Sequence, residues 1–343
     1  MRILVSPDSF KDCLSAELVS AVIADELSRC RPDWEIIRCP LSDGGEGFHE
    51  ILTAALGGET VRVTVTGPLG EPVECSYGRV GDTAILDVAS CCGLQLVPPE
   101  RRNPLKTTTR GLGELMMAAW KDGCSELIIG LGGSANCDGG EGMLSVEGIK
   151  DLSEKVSVDV LCDVRNPFVG PDGAARVFGP QKGAFPEEVE ALEERMLERA
   201  AVIEEETGID VSFLPGTGAA GGLAGALYAY FEADMRPGIA AVLDYLDYEN
   251  LVKGADWIVT GEGRSDSQTL SGKVPMGVLL HAGEAKVALL SGSIRDREAL
   301  EAAGFARLIE VTPPGDDLSE ALMPERAEAN LRRAVQDFLE WTL

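Results

Sequence analysis

The chain has 343 residues, 57 of them acidic and 30 basic, for a formal net charge of −27 and a pI near 4.4. An excess of this size argues against nucleic acid and anionic membrane surfaces as partners, since both would repel it. Apolar content of 45% and charged content of 25% are those of a soluble globular protein of about two domains, and no run nears the roughly 20 apolar residues of a membrane span. The start, Met1-Arg2-Ile3-Leu4-Val5 followed by Pro7-Asp8, is too short and polar for a signal sequence. Nine cysteines without a C-x-x-C pair suit neither a zinc site nor a closed disulfide framework, and read as buried small hydrophobes in a reducing, cytoplasmic setting.

In chain order, Ile3 to Val5 predicts a buried strand, followed by the polar turn Ser6-Pro7-Asp8-Ser9. Ser15 is a candidate N-cap for a helix with Leu18, Val19, Val22, Ile23 and Leu27 on one face. Glu35 to Cys39 predicts a second strand that ends in Asp43-Gly44-Gly45-Glu46-Gly47, and a helix with Phe48, Ile51, Leu52 and Leu56 follows. Two successive strand–loop–helix units argue for a parallel sheet with sites at the strands' C-terminal ends.

From Glu59 the pattern changes. Val61, Val63 and Val65 alternate with polar residues, Gly67-Pro68-Leu69-Gly70 turns the chain, and Val73 to Val80 and Ala84 to Val88 continue as strands. Helical spacing returns at Leu112, Leu115, Met116, Ala119 and Trp120, then strands at Leu127 to Leu131 and Val158 to Cys162. Helices are expected from Pro186, about Ala219 and about Ile239; Pro186 to Thr207 holds nine Glu, the mark of a solvated face. From Asp256 the strand–helix alternation resumes at Ile258 to Thr260, Val287 to Leu290 and Leu308 to Val311. The expected fold is α/β with two domains. One is a flavodoxin- or Rossmann-like domain with a parallel sheet, built from residues 1–60 and 251–343. The other is a mixed α/β domain, 61–250, inserted into it.

Seven polar segments, most of them following apolar strands, carry glycines with embedded acids or lysines. They are Asp8-Ser9-Phe10-Lys11, Asp43 to Gly47, Gly132 to Gly140, Asp163 to Asn166, Phe178 to Gly183, Gly216 to Gly222 and Gly261 to Lys273. The last has the layout of an anion-binding loop, with glycines that let backbone approach a ligand and a helix start near Pro275. It is not a Walker A loop, because the glycine spacing differs and no Ser or Thr follows the lysine. Glycines, acids and lysines together suit phosphoryl transfer, which asks for positioning and charge neutralisation more than covalent work. Only two histidines occur, His49 and His281, both expected in helices with a surface or core role, so a general base would be an aspartate.

Asp8-Ser9-Phe10-Lys11 with Leu14-Ser15-Ala16, Asp43-Gly44-Gly45-Glu46-Gly47, Thr64 to Gly70, Asn103-Pro104-Leu105 with Thr107-Thr108-Thr109, Phe178 to Gly183, and Gly261-Glu262-Gly263-Arg264 with Asp266, Gln268-Thr269 and Gly272-Lys273 together resemble the bacterial glycerate kinases of the first type. The resemblance runs from residue 1 to beyond 290. It implies phosphorylation of D-glycerate by ATP with Mg²⁺, usually to 2-phosphoglycerate, in a cleft between two α/β domains. On that resemblance Lys11, Asp43 and Asp138 are assigned to catalysis, with Asp138 or Asp43 as base. Asp8, Ser9, Glu46, Ser134, Arg264 and Lys273 are assigned to substrate and phosphate, and Asp163, Glu262 and Asp266 to the metal.

Two departures stand out. Family members usually read Gly-Gly-Ser-Ala-Thr-Asn-Asp-Gly-Gly, whereas this chain has Asn136-Cys137 before Asp138, which weakens a hydrogen-bonding role there. Relatives also carry a longer connection where this chain has only Val146 to Ser157. Left open are a 3-phosphoglycerate product, another small hydroxy acid, a non-catalytic metabolite-binding protein of the same fold, and whether the chain forms a homo-oligomer. A dinucleotide-dependent dehydrogenase is disfavoured, since no G-x-G-x-x-G follows the first strand.

Overall fold

The computed structural model describes residues 1–342 apart from Asp12 and Glu46, and separates into two units, Met1–Asp43 with Ile239–Leu343, and Gly44–Gly238. The chain opens in the first unit with β1 (Arg2–Val5), α1 (Ala16–Cys30) and β2 (Glu35–Arg38). Ser15 caps α1 as expected: its backbone is extended and its Oγ accepts the Leu18 N–H at 3.3 Å, while Val19, Val22, Ile23 and Leu27 are buried.

The second unit follows with α2 (Phe48–Ala55), β3 (Glu59–Thr66), β4 (Pro72–Val80), β5 (Thr83–Asp87), α3 (Val88–Cys92), α4 (Arg110–Lys121) and β6 (Glu126–Gly130). It continues through α5 (Glu141–Leu144), α6 (Ile149–Leu152), β7 (Ser157–Leu161), α7 (Ala174–Phe178), α8 (Pro186–Thr207), α9 (Leu223–Phe231) and β8 (Asp234–Arg236). The chain then completes the first unit with α10 (Gly238–Tyr245), α11 (Tyr248–Val252), β9 (Trp257–Ser265), α12 (Val274–Leu280), β10 (Lys286–Ile294), α13 (Arg297–Ala303), β11 (Arg307–Glu310), α14 (Leu318–Ala321) and α15 (Pro324–Thr342).

The first unit's sheet is wholly parallel, in the order β11-β10-β9-β1-β2. Counted within the unit this is the flavodoxin-like order, and its switch point lies between β1 and β9, the position at which open α/β sheets as a rule bind ligands. Its core joins Ile3, Val5, Val259, Ala288 and Leu290 to the apolar stripe Leu331, Val335 and Phe338 of α15. Each such fully buried large side chain is worth about 1.5–3 kcal/mol. Trp257 meets Phe338 edge-on at 5.3 Å.

The second unit's sheet runs β3-β4-β5-β6-β7-β8, antiparallel through β5 and parallel from β5 to β8. The expected α/β class, with one parallel and one mixed sheet, is thus what the chain adopts. Strand β8, only three residues long, carries no alternation that would announce it.

Two local readings change. The units divide at Asp43/Gly44 and Gly238/Ile239 rather than near 60 and 250. Helix α2 belongs with the second unit because its apolar face, Phe48 and Leu52, is fully buried and His49 bonds Asp87 at the end of β5. Likewise Ile239 of α10 packs against Gly277 of α12 in the first unit. The second change is at β9, which was expected to end at Thr260 but runs to Ser265, paired with β10 as far as Ser265↔Ile294. Gly261 makes this register available: a Cβ there would stand 2.2 Å from the Leu290 carbonyl oxygen. The first residues of the expected anion-binding loop, Gly261 to Ser265, therefore lie on a strand, and Asp266 to Gly272 turns.

Candidate active site

In the first unit the loops after β1, β2 and β9 converge. The β1–β9 ladder continues beyond the named strands, with Ser6 N–H donating to Val259 O and Asp8 N–H to Gly261 O, both at 2.8 Å. Leu41 N–H donates to Pro7 O at 2.9 Å and ties in the loop that carries Asp43. Asp8 comes within electrostatic reach of two further carboxylates, Asp43 and Glu262, as a result. Asp8 is half-buried and its pKa lies well above the ordinary 3.8: burial raises it most, then the charge of Asp43, while the Ser9 N–H opposes and Glu262 adds to the rise. Glu262 is 5% exposed. Its Oε1 accepts Thr269 Oγ1–H at 2.6 Å and Ser265 Oγ–H at 2.9 Å, and its Oε2 faces Lys273 Nζ at 3.4 Å. Burial still lifts its pKa above 4.5, against the pull of those donors and of the lysine.

Ser9 donates its N–H to Asp8 Oδ1 at 2.6 Å. Lys11 is exposed, and its amide nitrogen lies 3.3 Å from where a Cβ on Gly263 would stand, so glycine there lets the Lys11 loop lie against β9. Arg264 pairs with Asp266 at 3.1 Å, and Asp266 Oδ1 also accepts the Gln268 N–H at 2.9 Å. Asp266 thus serves the turn and Arg264. Lys273 is the N-cap of a helix of seven residues and is directed to Glu262, 3.4 Å from its Oε2.

In the second unit the loop after β6 holds Ser134, Asn136 and Asp138. Asp138 is 1% exposed. Its two oxygens accept Thr109 N–H at 2.8 Å, Thr109 Oγ1–H at 2.9 Å, Gly140 N–H at 3.1 Å, Gly142 N–H at 3.2 Å and Asn136 Nδ2–H at 3.4 Å. A buried carboxylate with its lone pairs so occupied pins the starts of α4 and α5, a fastening role that stands beside the base role expected for Asp138. Asn136 also donates to Ala220 O at 2.9 Å, so the displaced asparagine does bond where the sequence suggested a weakened role. Cys137 is fully buried beside Phe168, Leu192 and Met196, and burial pushes its thiol up to about 11, which leaves an inert hydrophobe.

Lys182, noted among glycines but not assigned to the site, is 4% exposed and donates to Ser134 Oγ at 2.8 Å and Asn136 O at 2.6 Å. Asp163 is exposed at the end of β7 and accepts the Gly238 N–H at 2.7 Å. Glu46 lies outside the described residues. The structure therefore gathers Asp8, Asp43, Glu262 and Lys273 in one unit, and Ser134 and Lys182 in the other.

Among the described residues no three His, Cys, Asp or Glu side chains form a ready-made metal cage. Mg²⁺ does not ask for one, being held as a rule by one or two carboxylates together with waters and substrate phosphates. Burial first, and then the charges of Asp43 and Glu262, raise the pKa of Asp8, and a bound cation would offset each of them. No described helix is long and apolar enough to cross a membrane.

The glycerate kinase family model matches residues 3–155 and 145–343. The two matched pieces overlap at 145–155, around the Val146 to Ser157 connection that holds the single-turn α6. The chain is 39% identical to the glycerate kinase of Bacillus subtilis (strain 168) over 370 aligned positions, covering 98% of this chain and 96% of that one. It is 41% identical to the glycerate 2-kinase of Escherichia coli (strain K12) over 308 positions, covering 81% of each. The crystal structure of putative glycerate kinase 2 from Salmonella typhimurium LT2 superposes with a TM-score of 0.84 at 38% identity, covering 98% of this chain and 97% of that one.

Proposed function

The chain belongs to the glycerate kinase family and is a kinase, and from that premise we propose that it transfers the γ-phosphoryl group of ATP to the 2-hydroxyl of D-glycerate, giving 2-phospho-D-glycerate and ADP. The observation that carries the reading is the gathering of Asp8, Asp43 and Glu262 at the β1–β9 switch point, with Lys273 on Glu262, in a chain this closely related to glycerate kinases along its whole length. Asp8 and Glu262 would hold Mg²⁺, which when bound neutralises phosphate charge. Asp43 takes the proton of the acceptor hydroxyl as its oxygen bonds to phosphorus and ADP departs. Lys11 and Lys273 supply the positive charge that an acidic protein must provide locally for two anionic substrates, and Ser134 donates to a substrate oxygen.

The test is ADP release with D-glycerate, with NMR of the product to identify the phosphorylated carbon. Glycerate-dependent ADP and a 2-phospho product are expected. Turnover with other short hydroxy acids but not glycerate would overturn the substrate, and a 3-phospho product would overturn the regiochemistry.

A further inference from the structure

Lys182 presents a physical puzzle. An ammonium group almost fully removed from water is costly unless a counter-charge bonds it, yet both its hydrogen bonds go to neutral oxygens, Ser134 Oγ at 2.8 Å and Asn136 O at 2.6 Å. Asp138 is close enough for its charge to act on the lysine, but its oxygens are taken by Thr109, Asn136, Gly140 and Gly142. Two of the three ammonium donors are therefore used, and neither meets a carboxylate. The Oδ1 of Asn136 nearby is buried with no donor at all. A second consequence follows at Ser134. Its Oγ accepts from the lysine, so its own O–H is turned away from Nζ.

We infer that Lys182 is a positioning residue for phosphoryl transfer. Its ammonium fixes Ser134 Oγ as an acceptor, so that the Ser134 hydroxyl donates to an anionic oxygen of the substrate, whose charge completes the environment the lysine lacks. This rests on the reading of Ser134 as a group that meets substrate. It goes beyond that reading in making a buried cation, supplied by the short turn Pro180–Lys182, the reason the serine is correctly aimed. The ammonium's pKa is lowered to about 8, by burial first, with Cys137 and Asp138 acting to raise it. Those two are the titratable groups that act on it, and Arg102 packs against the adjoining Gly183 backbone. The lysine thus loses its charge just above neutrality.

The test is a double-mutant cycle on the full-length enzyme, run with D-glycerate or with whichever hydroxy acid the wild type turns over, so that an error in the substrate does not obscure this result. Lys182→Met and Ser134→Ala should each lower kcat/KM by about thirtyfold or more, and the double variant should fall no more than about threefold below Ser134→Ala. Independent, multiplying losses, or a Lys182→Met enzyme with near-normal kcat/KM, would overturn the proposal. Should Lys182→Met fail to fold, the pH profile decides without it. Wild-type kcat/KM should decline with an apparent pKa near 8, and Ser134→Ala should lose that limb. The same alkaline limb in both enzymes would refute the inference.

Discussion

Asp8 and Asp138 make an instructive pair. Each follows an apolar parallel strand, each sits among residues chosen for tight turns, and nothing in the local sequence tells them apart. Asp138 is buried with five donors converging on its two oxygens. Asp8 has the Ser9 amide on one oxygen, and faces Asp43 and Glu262. The first carboxylate has been spent on the fold, fastening the starts of two helices. The second is held where burial, and then the charges of Asp43 and Glu262, oppose its ionisation, the kind of cost that folded chains concentrate at functional sites. On the proposed function, an unsatisfied carboxylate, more than the presence of an acid in a glycine-rich loop, separates a working group from a structural one.

The sharpest way to break this contrast is to neutralise each aspartate. Asp8→Asn should cost about a thousandfold in kcat/KM while raising the melting temperature in metal-free buffer. The sign follows from linkage. Because the folded pKa of Asp8 lies above its ordinary value of 3.8, ionising it costs the fold stability; that cost is absent in acid and sets in as the pH rises. A lower Tm for Asp8→Asn at pH 7.5 would contradict the picture. Asp138→Ala should do the reverse, leaving the Thr109, Gly140 and Gly142 amides unpaired and destabilising the protein by about 3 kcal/mol in urea unfolding. Should the folded Asp138→Ala enzyme prove fully stable yet inactive, its assignment as a base would stand alone.

The difference between the two aspartates explains what the sequence could and could not convey. Strands such as Ile3 to Val5 and Leu127 to Leu131 were legible because continuous apolar runs bounded by Gly, Pro and Asp have few other solutions, and Ser15 was legible because a cap acts within its own turn. The extension of β9 through Gly261 and Gly263 was not, since glycines there read as a loop until β10 is seen to pair with them. Partners distant in sequence were equally hidden. Thr109 reaches Asp138 across 29 residues and Lys182 reaches Ser134 across 48, and no spacing rule connects them. Residue types announced the chemistry, while the third dimension decided which acid and which lysine had a free hand.

A smaller effect sharpens the same contrast from the ligand side. Mg²⁺ at about ten times its Kd should add about 1.4 kcal/mol to wild-type stability, seen as a rise of a few degrees in thermal melting without any substrate. Asp8→Asn and Glu262→Gln should abolish the rise, whereas Asp163→Asn should keep it, since Asp163 Oδ1 accepts the Gly238 amide. A rise that survives Asp8→Asn but disappears in Asp163→Asn would move the cation to β7.

The smallest predicted effect concerns a third carboxylate, Asp87, which sits on the satisfied side of the comparison. Its Oδ1 accepts the Ser90 N–H at 2.8 Å and its Oδ2 faces His49 Nδ1 at 2.6 Å, with Ser76 Oγ at 2.9 Å from the other ring nitrogen. The Ser-His-Asp order invites a catalytic reading, but the electrostatics point elsewhere. Burial alone would lower the imidazole's pKa; the hydrogen bond and charge of Asp87 outweigh it and raise the pKa above 6.5. A histidine held as imidazolium is a poor base and a good buried counter-ion. Its contribution to stability is present in full below about pH 6.5 and is lost as the pH climbs through the raised folded value. Urea midpoints measured from pH 5.5 to 8.5 should therefore fall as pH rises in the wild type. The fall should flatten in His49→Gln, which keeps a donor for Asp87 but cannot titrate; an unchanged slope in that variant would show that the pH dependence arises at another group.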